Sequence, residues 1–291
     1  MPYGEGASRR RLALAALGWA LGAFTPEDAG AGDARAALTA AAPAAEDDSQ
    51  LSGRDIYDRV TANRFRSIVQ ESTLRSSDRG GREQITKLRM HWKDFQDGDP
   101  ESERGILSKT LVKYFQPFDI RHSGYLVIHN DGRPDDQFVY LPGRRKVVRV
   151  NLRSEAIFGT DFSFEDVLPR EAQDASYQRL EDAEIDGVPT FTVEAIPTDF
   201  ADSEYSRFLV YVEKARYVPL WTRYWDEAGV EVKELRVDRD SIALYDGVWV
   251  PMRVRMRHLL LETSTTLEVT HLEPNAEIPR ATFALQRLEA H

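Results

Sequence analysis

The sequence has no cysteine among its 291 residues. That excludes disulfides, thiolate metal sites, a cysteine nucleophile and a lipid anchor attached through an N-terminal cysteine. Histidine is scarce: His91, His122, His129, His258, His271 and His291 are all there are, and no two stand at i,i+4. The chain lacks a Gly-x-Ser-x-Gly elbow, a His-Glu-x-x-His zinc motif and a Gly-x-x-x-x-Gly-Lys phosphate loop. Acidic loops at Asp97-Gly98-Asp99 and Asp131–Asp136 do not have the spacing of a calcium-binding EF-hand loop. No catalytic constellation, metal site or cofactor motif is legible, so the expectation is a protein that is not an enzyme.

Positive charge is also short. The formal net charge is −10. That balance argues against nucleic acid as a ligand and against adsorption of the whole surface to anionic lipid. Past the N-terminus there is no apolar run long enough to span a bilayer, so no transmembrane segment is expected beyond it.

What is present begins with an address. Arg9-Arg10-Arg11 precede an unbroken apolar run, Leu12 to Phe24, and small residues follow at Ala29-Gly30-Ala31. This is the layout of a cleaved secretory signal, with a loose fit to the twin-arginine type. Residues 1–31 are expected to be that signal, and residues 32–50, rich in Ala, Asp and Glu, a disordered tether. The remainder, 51–291, is expected to be a single domain exported to the periplasm.

Hydrophobic residues make up 42% of the chain, enough for a real core, and many of the 13 Phe, 11 Tyr and 5 Trp fall in alternating runs. Ser52 and Asp55 form a capping box that predicts a short helix over 53–63. A second box, Ser163 to Asp166, predicts another that stops at Pro169. Between and after them, period two dominates. Leu88, Met90 and Trp92 share one side of their strand, and Lys87, Arg89 and His91 the other. Met252-Arg253-Val254-Arg255-Met256-Arg257 alternates most cleanly, and a one-residue slip would bury three arginines. About a dozen antiparallel strands with turns every 8–12 residues predict a mainly β fold, and a sheet of that length curls. Side chains, a covering helix or a ligand must fill its concave face.

Phe138-Val139-Tyr140-Leu141-Pro142-Gly143-Arg144-Arg145-Lys146-Val147-Val148-Arg149-Val150 is followed by Phe158-Gly159-Thr160-Asp161-Phe162-Ser163-Phe164-Glu165-Asp166. Tyr217-Val218-Pro219-Leu220 and Asp246-Gly247-Val248-Trp249-Val250-Pro251-Met252 come later. In their order and spacing these stretches resemble the outer-membrane lipoprotein-sorting proteins of the LolA-like group, over roughly residues 52–288. The resemblance implies a strongly curved antiparallel sheet, or incomplete β-barrel, with short helices over its concave face. It also implies a carrier or chaperone holding lipid or lipoprotein acyl chains in an apolar cavity. On that reading Leu88, Met90, Trp92, Phe138, Tyr140, Val254 and Met256 are the expected cavity lining, and Phe158, Phe162 and Phe164 the expected lid. The alternative is a non-catalytic interaction or sensor module of the same fold, associated with an envelope transporter.

Overall fold

The structure, a computed structural model, describes residues 48–95, 98–151, 155–167, 174–198, 201 and 203–289. The expected signal and all but the last three residues of the expected tether lie outside these. Asp48–Gln50 form a 3₁₀ turn.

The first helix, α1 (Gly53–Ala62), starts at the predicted capping box. The Ser52 backbone N–H donates to Asp55 Oδ2 (2.9 Å), and the Asp55 N–H donates to Ser52 Oγ (3.1 Å). Strands β1 (Ser67–Ser77) and β2 (Glu83–Asp94) follow, then a one-turn helix α2 (Pro100–Glu103). Next come β3 (Ile106–Gln116), β4 (Gly124–Asn130), β5 (Asp136–Leu141) and β6 (Lys146–Val150). A crossing segment carries α3 (Phe164–Val167) and leads to β7 (Ala175–Arg179), β8 (Ala183–Ile185), β9 (Val188–Pro197), β10 (Arg207–Glu213), β11 (Pro219–Trp225) and β12 (Glu231–Val237). A hairpin, β13 (Ile242–Tyr245) and β14 (Val248–Pro251), precedes β15 (Arg253–His258), β16 (Thr263–Pro274) and α4 (Leu285–Glu289).

Fourteen strands form one sheet, in the order β6-β5-β4-β3-β2-β1-β16-β15-β12-β11-β10-β9-β7, with β8 also on β9. The pairings are antiparallel, and β6 and β7 are open edges, so the barrel is not closed. The architecture is thus two meanders, β1–β6 and β7–β16, joined along β1 and β16. One core cluster contains Met90, Val112, Tyr125 and Val139 from the first meander and Phe191, Val210 and Tyr224 from the second. The sheet curls around that shared core.

The crossing segment lies in this core. Ile157, Phe162 and Phe164 are fully buried in it, and Phe164 packs against Tyr125 with ring centroids 4.2 Å apart. Helix α1 covers the second meander, where Tyr57 stacks on Tyr177 of β7 at 4.2 Å. Gly53 sets that approach, because a Cβ there would stand 2.6 Å from the backbone of Gln178 and Arg179. Gly53→Ala is therefore expected to push the start of α1 off β7. Proteolysis should detect it as a faster cut near residue 52, with the sheet's circular dichroism unchanged.

A second cluster lies on the opposite face of β3–β6, where Leu111, Leu126 and Tyr140 pack under Ile278, Phe283 and Leu288 of the C-terminal segment. In the last strands Met252 separates β14 from β15, and the chain passes there from the β13–β14 hairpin into the main sheet.

Candidate functional site

A cavity of about 70 Å³ lies between α1 and the core face of the second meander. Tyr57, Val60 and Asn63 of α1 form its roof. Ala195 of β9, Phe208 and Val210 of β10, Tyr224 of β11 and Leu235 of β12 form its floor. Trp249 and Pro251 of β14 and Val254 of β15 close one side. The walls are mostly apolar. Its volume holds a few waters, well short of the several hundred Å³ of a typical ligand pocket.

Asn63 fastens the roof. Its Nδ2 donates to the Trp249 carbonyl (3.1 Å), and the Trp249 N–H donates to its Oδ1 (2.9 Å). The β13–β14 hairpin stands apart from the main sheet, and its turn residues Asp246 and Gly247 both have positive φ (46° and 82°), as a two-residue hairpin turn requires. Helix α1 and the hairpin are thus buttoned to each other over the cavity.

One ionisable carboxylate, Asp166, borders the cavity beside the polar Asn63 and Thr222, and it is held from behind. The Asp166 side chain is 0% exposed and that of Lys233 9% exposed. Lys233 Nζ donates to Asp166 Oδ2 (3.2 Å) and to the Tyr205 hydroxyl (2.8 Å). The Tyr205 hydroxyl donates in turn to Asp166 Oδ1 (2.9 Å), and the Ser163 N–H donates to Oδ2 (2.8 Å). Burial opposes the charge on Lys233, but Asp166 and then Glu204 outweigh it, and its pKa lies above the ordinary lysine value. Burial, followed by the charges of Asp166 and Glu204, pushes the Tyr205 phenol well up.

The other end of the crossing segment is also tied to the sheet. Thr263 donates to Asp161 Oδ1 and Thr265 Oγ1 to Oδ2 (2.6 Å), while Gln84 Nε2 donates to the Phe158 carbonyl (2.8 Å). The segment is therefore a strap fixed at Asp161 and at Asp166.

Burial, followed by the neighbouring Lys233 charge, lowers the His258 pKa below 6.5. Below pH 6.5 the unfolded chain takes up a proton at His258 that the folded chain resists, so this group costs stability as the pH falls. Thermal midpoints should drop on acidification from pH 6.5, and His258→Asn should flatten that slope.

Among the expected lining residues, Val254 borders the cavity. Leu88, Met90, Trp92 and Met256 share its face of the sheet but pack within or against the filled core. Phe138 and Tyr140 face the other way, under the C-terminal segment, and are corrected here. The register Tyr125↔Val139 and Val112↔Tyr125 aligns Val139, not its neighbours, with Met90. Phe158, Phe162 and Phe164 all belong to the strap, and Phe158 meets Tyr114 edge to face at 4.7 Å. Sequence reading missed the floor on β9–β12 and the roof on α1. The floor residues lie on β9, β10, β11 and β12, and the face of those strands that α1 covers is set by a contact distant in sequence.

The two acidic loops have other partners. Asp99 caps α2, and Asp136 pairs with Arg133 and Arg149.

The open antiparallel sheet with few short helices is a fold shared with solved structures, LolA-like proteins among them. A DUF1329 family protein from Desulfovibrio piger has it, at 21% identity and TM-score 0.74, over 81% of this chain and 97% of that one. So does an outer membrane lipoprotein-sorting protein domain from Vibrio parahaemolyticus, at 23% identity and TM-score 0.73, over 81% and 98%. A LolA superfamily protein from Nitrosomonas europaea aligns at 16% identity and TM-score 0.65, over 81% and 99%. The chain belongs to the family described as "-like: Uncharacterized protein", whose model matches residues 107–290. Comparison with curated proteins gives no match.

Proposed function

We propose that this chain is a periplasmic, non-catalytic carrier in which residues 51–291 act as one domain and shelter lipid or lipoprotein acyl chains. The observation that carries the reading is the apolar cavity on the core face of a LolA-like sheet, roofed by a helix held through few polar contacts. Acyl burial is worth about 0.8 kcal/mol per CH₂, so an expandable apolar cleft needs little else to retain cargo. About 70 Å³ is too small for an acyl chain, so on this reading cargo enters by lifting α1 and the hairpin. No helix among the described residues is long and apolar enough to cross a membrane, which accords with a diffusing carrier.

The protein purified from a bacterial periplasm without detergent, then extracted with organic solvent, should yield near-stoichiometric lipid or acylated peptide by mass spectrometry. A lipid-free protein that also fails to take up a fluorescent fatty acid would overturn the carrier reading. It would favour the second one, an interaction or sensor module of the same fold, which the filled core also supports.

A further inference from the structure

The antiparallel order places the β1–β2, β3–β4, β5–β6 and β15–β16 turns at one end of the sheet. Arg79 of the first turn pairs with Glu262 of the last (2.8 Å). The three most exposed large apolar side chains among the described residues are Phe118 (90%), Leu260 (61%) and Leu261 (60%), and all three are on these turns. Phe115 stands beside Phe118, and the two line a shallow surface groove with Lys87 and Arg121.

Along these four turns the charge opposes that of the whole chain, whereas the β11–β12 turn at the same end is acidic, with Asp226 and Glu227. The four turns and their flanks carry Arg75, Arg79, Arg82, Lys87, Arg121, Arg144, Arg145 and Lys146 against Asp78, Glu83, Asp119 and Glu262. Elsewhere most described arginines and lysines are engaged by a carboxylate, as in Arg207–Glu194, Arg223–Glu231 and Arg253–Glu268. Of the rim cations, only Arg79 has a carboxylate partner among the described residues. Cations left in water beside protruding aromatic and aliphatic tips suit one surface above others: anionic headgroups over an apolar layer, where charge attracts and the tips insert.

We propose that this rim docks the protein on an anionic lipid surface, with Phe118, Leu260 and Leu261 entering the interface and the unpaired cations meeting the headgroups. The net charge of −10 does not prevent this, because at physiological salt screening confines the interaction to charges within about 8 Å. The inference does not depend on the carrier reading, since docking is read without any cargo.

The absence of cysteine makes the test direct. Phe118→Cys and, at the opposite end of the sheet, Leu244→Cys each accept a single environment-sensitive fluorophore. With vesicles of phosphatidylethanolamine and phosphatidylglycerol, the probe at 118 should brighten severalfold and shift to the blue, and the probe at 244 should not. Sedimentation with those vesicles should exceed that with phosphatidylcholine vesicles at least tenfold, and 0.5 M salt should abolish the difference. Arg144→Glu/Arg145→Glu/Lys146→Glu, on exposed turn residues, should lose most of the binding while keeping its circular dichroism. Equal binding to both vesicle types, equal responses from the two probes, or an unaffected triple variant would overturn the proposal. No binding to either vesicle would overturn it too, and would direct attention to an acidic protein surface.

Discussion

Ala195→Phe is expected to abolish most fatty-acid uptake while leaving the fold intact. Ala195 sits on the cavity floor from β9, almost fully buried, with Val60 of α1 forming part of the roof. On the carrier reading proposed above, a benzyl group there occupies the space into which cargo must first enter. Each CH₂ denied burial costs about 0.8 kcal/mol, so excluding three weakens retention about fiftyfold. Overpacking a core costs typically 1–3 kcal/mol, but here part of the ring meets empty space, and the thermal midpoint should fall only a few degrees. Phe138→Ala is the control. It removes an aromatic ring, but from the opposite face under α4, and uptake should stay within twofold of the parent. A fluorescent fatty-acid titration of both variants checks the assignment. Equal losses from the two would place the cargo elsewhere on the sheet.

The second large effect is on stability. Lys233→Met should cost roughly 3 kcal/mol, the low end of the range for removing one partner of a buried ion pair. The low end applies because Asp166 keeps the Tyr205 hydroxyl and the Ser163 N–H. What remains is a carboxylate with a 0% exposed side chain and no cation against it. Adding Asp166→Asn to Lys233→Met should recover more than half of the loss, since the uncompensated charge goes with it. Urea denaturation reads both changes as shifts of the midpoint at constant slope. A double variant no more stable than the single one would mean that Lys233 acts through packing rather than through Asp166. The single variant should also loosen the strap, because Asp166 is one of its fixings, and hydrogen exchange at 161–166 should rise while that of β1 stays slow.

The parts of the fold legible in the sequence are those with one wet face. In β15, Val254 and Met256 are buried while Arg253, Arg255 and Arg257 are exposed, as the alternation predicts. In β2 the same argument placed Met90 and Trp92 on the core side. The reading failed at Phe138 and Tyr140 for a physical reason. Around β4 and β5 both faces are covered, one by the strap and the other by the C-terminal segment. Tyr125, Leu126 and Val127 are all buried in succession, and the period-two signal that tells inside from outside is lost. The capping box Ser163–Asp166 was legible, but the second role of Asp166 was not. Its partner Lys233 is 67 residues away and reaches it only once β12 is in place. A lysine at position 233 reads as a solvated strand residue until the strap lies over it.

The join between the two meanders also governs the order of events in folding. Each meander can zip up hairpin by hairpin, from local pairings, as soon as its own strands are available. The junction cannot. Ser76 of β1 meets Thr265 of β16 across 189 residues of sequence. Closing so long a loop is entropically costly and slows folding. For a chain that emerges from its N-terminus, as during synthesis, β1 therefore waits with one side unpaired until nearly the whole protein has emerged. That interval, not the native state, is when this molecule most needs protection from aggregation. A circular permutant opened in the strap and joined through β16 to β1 would turn the slowest contact into a hairpin, and should refold faster at the same final stability.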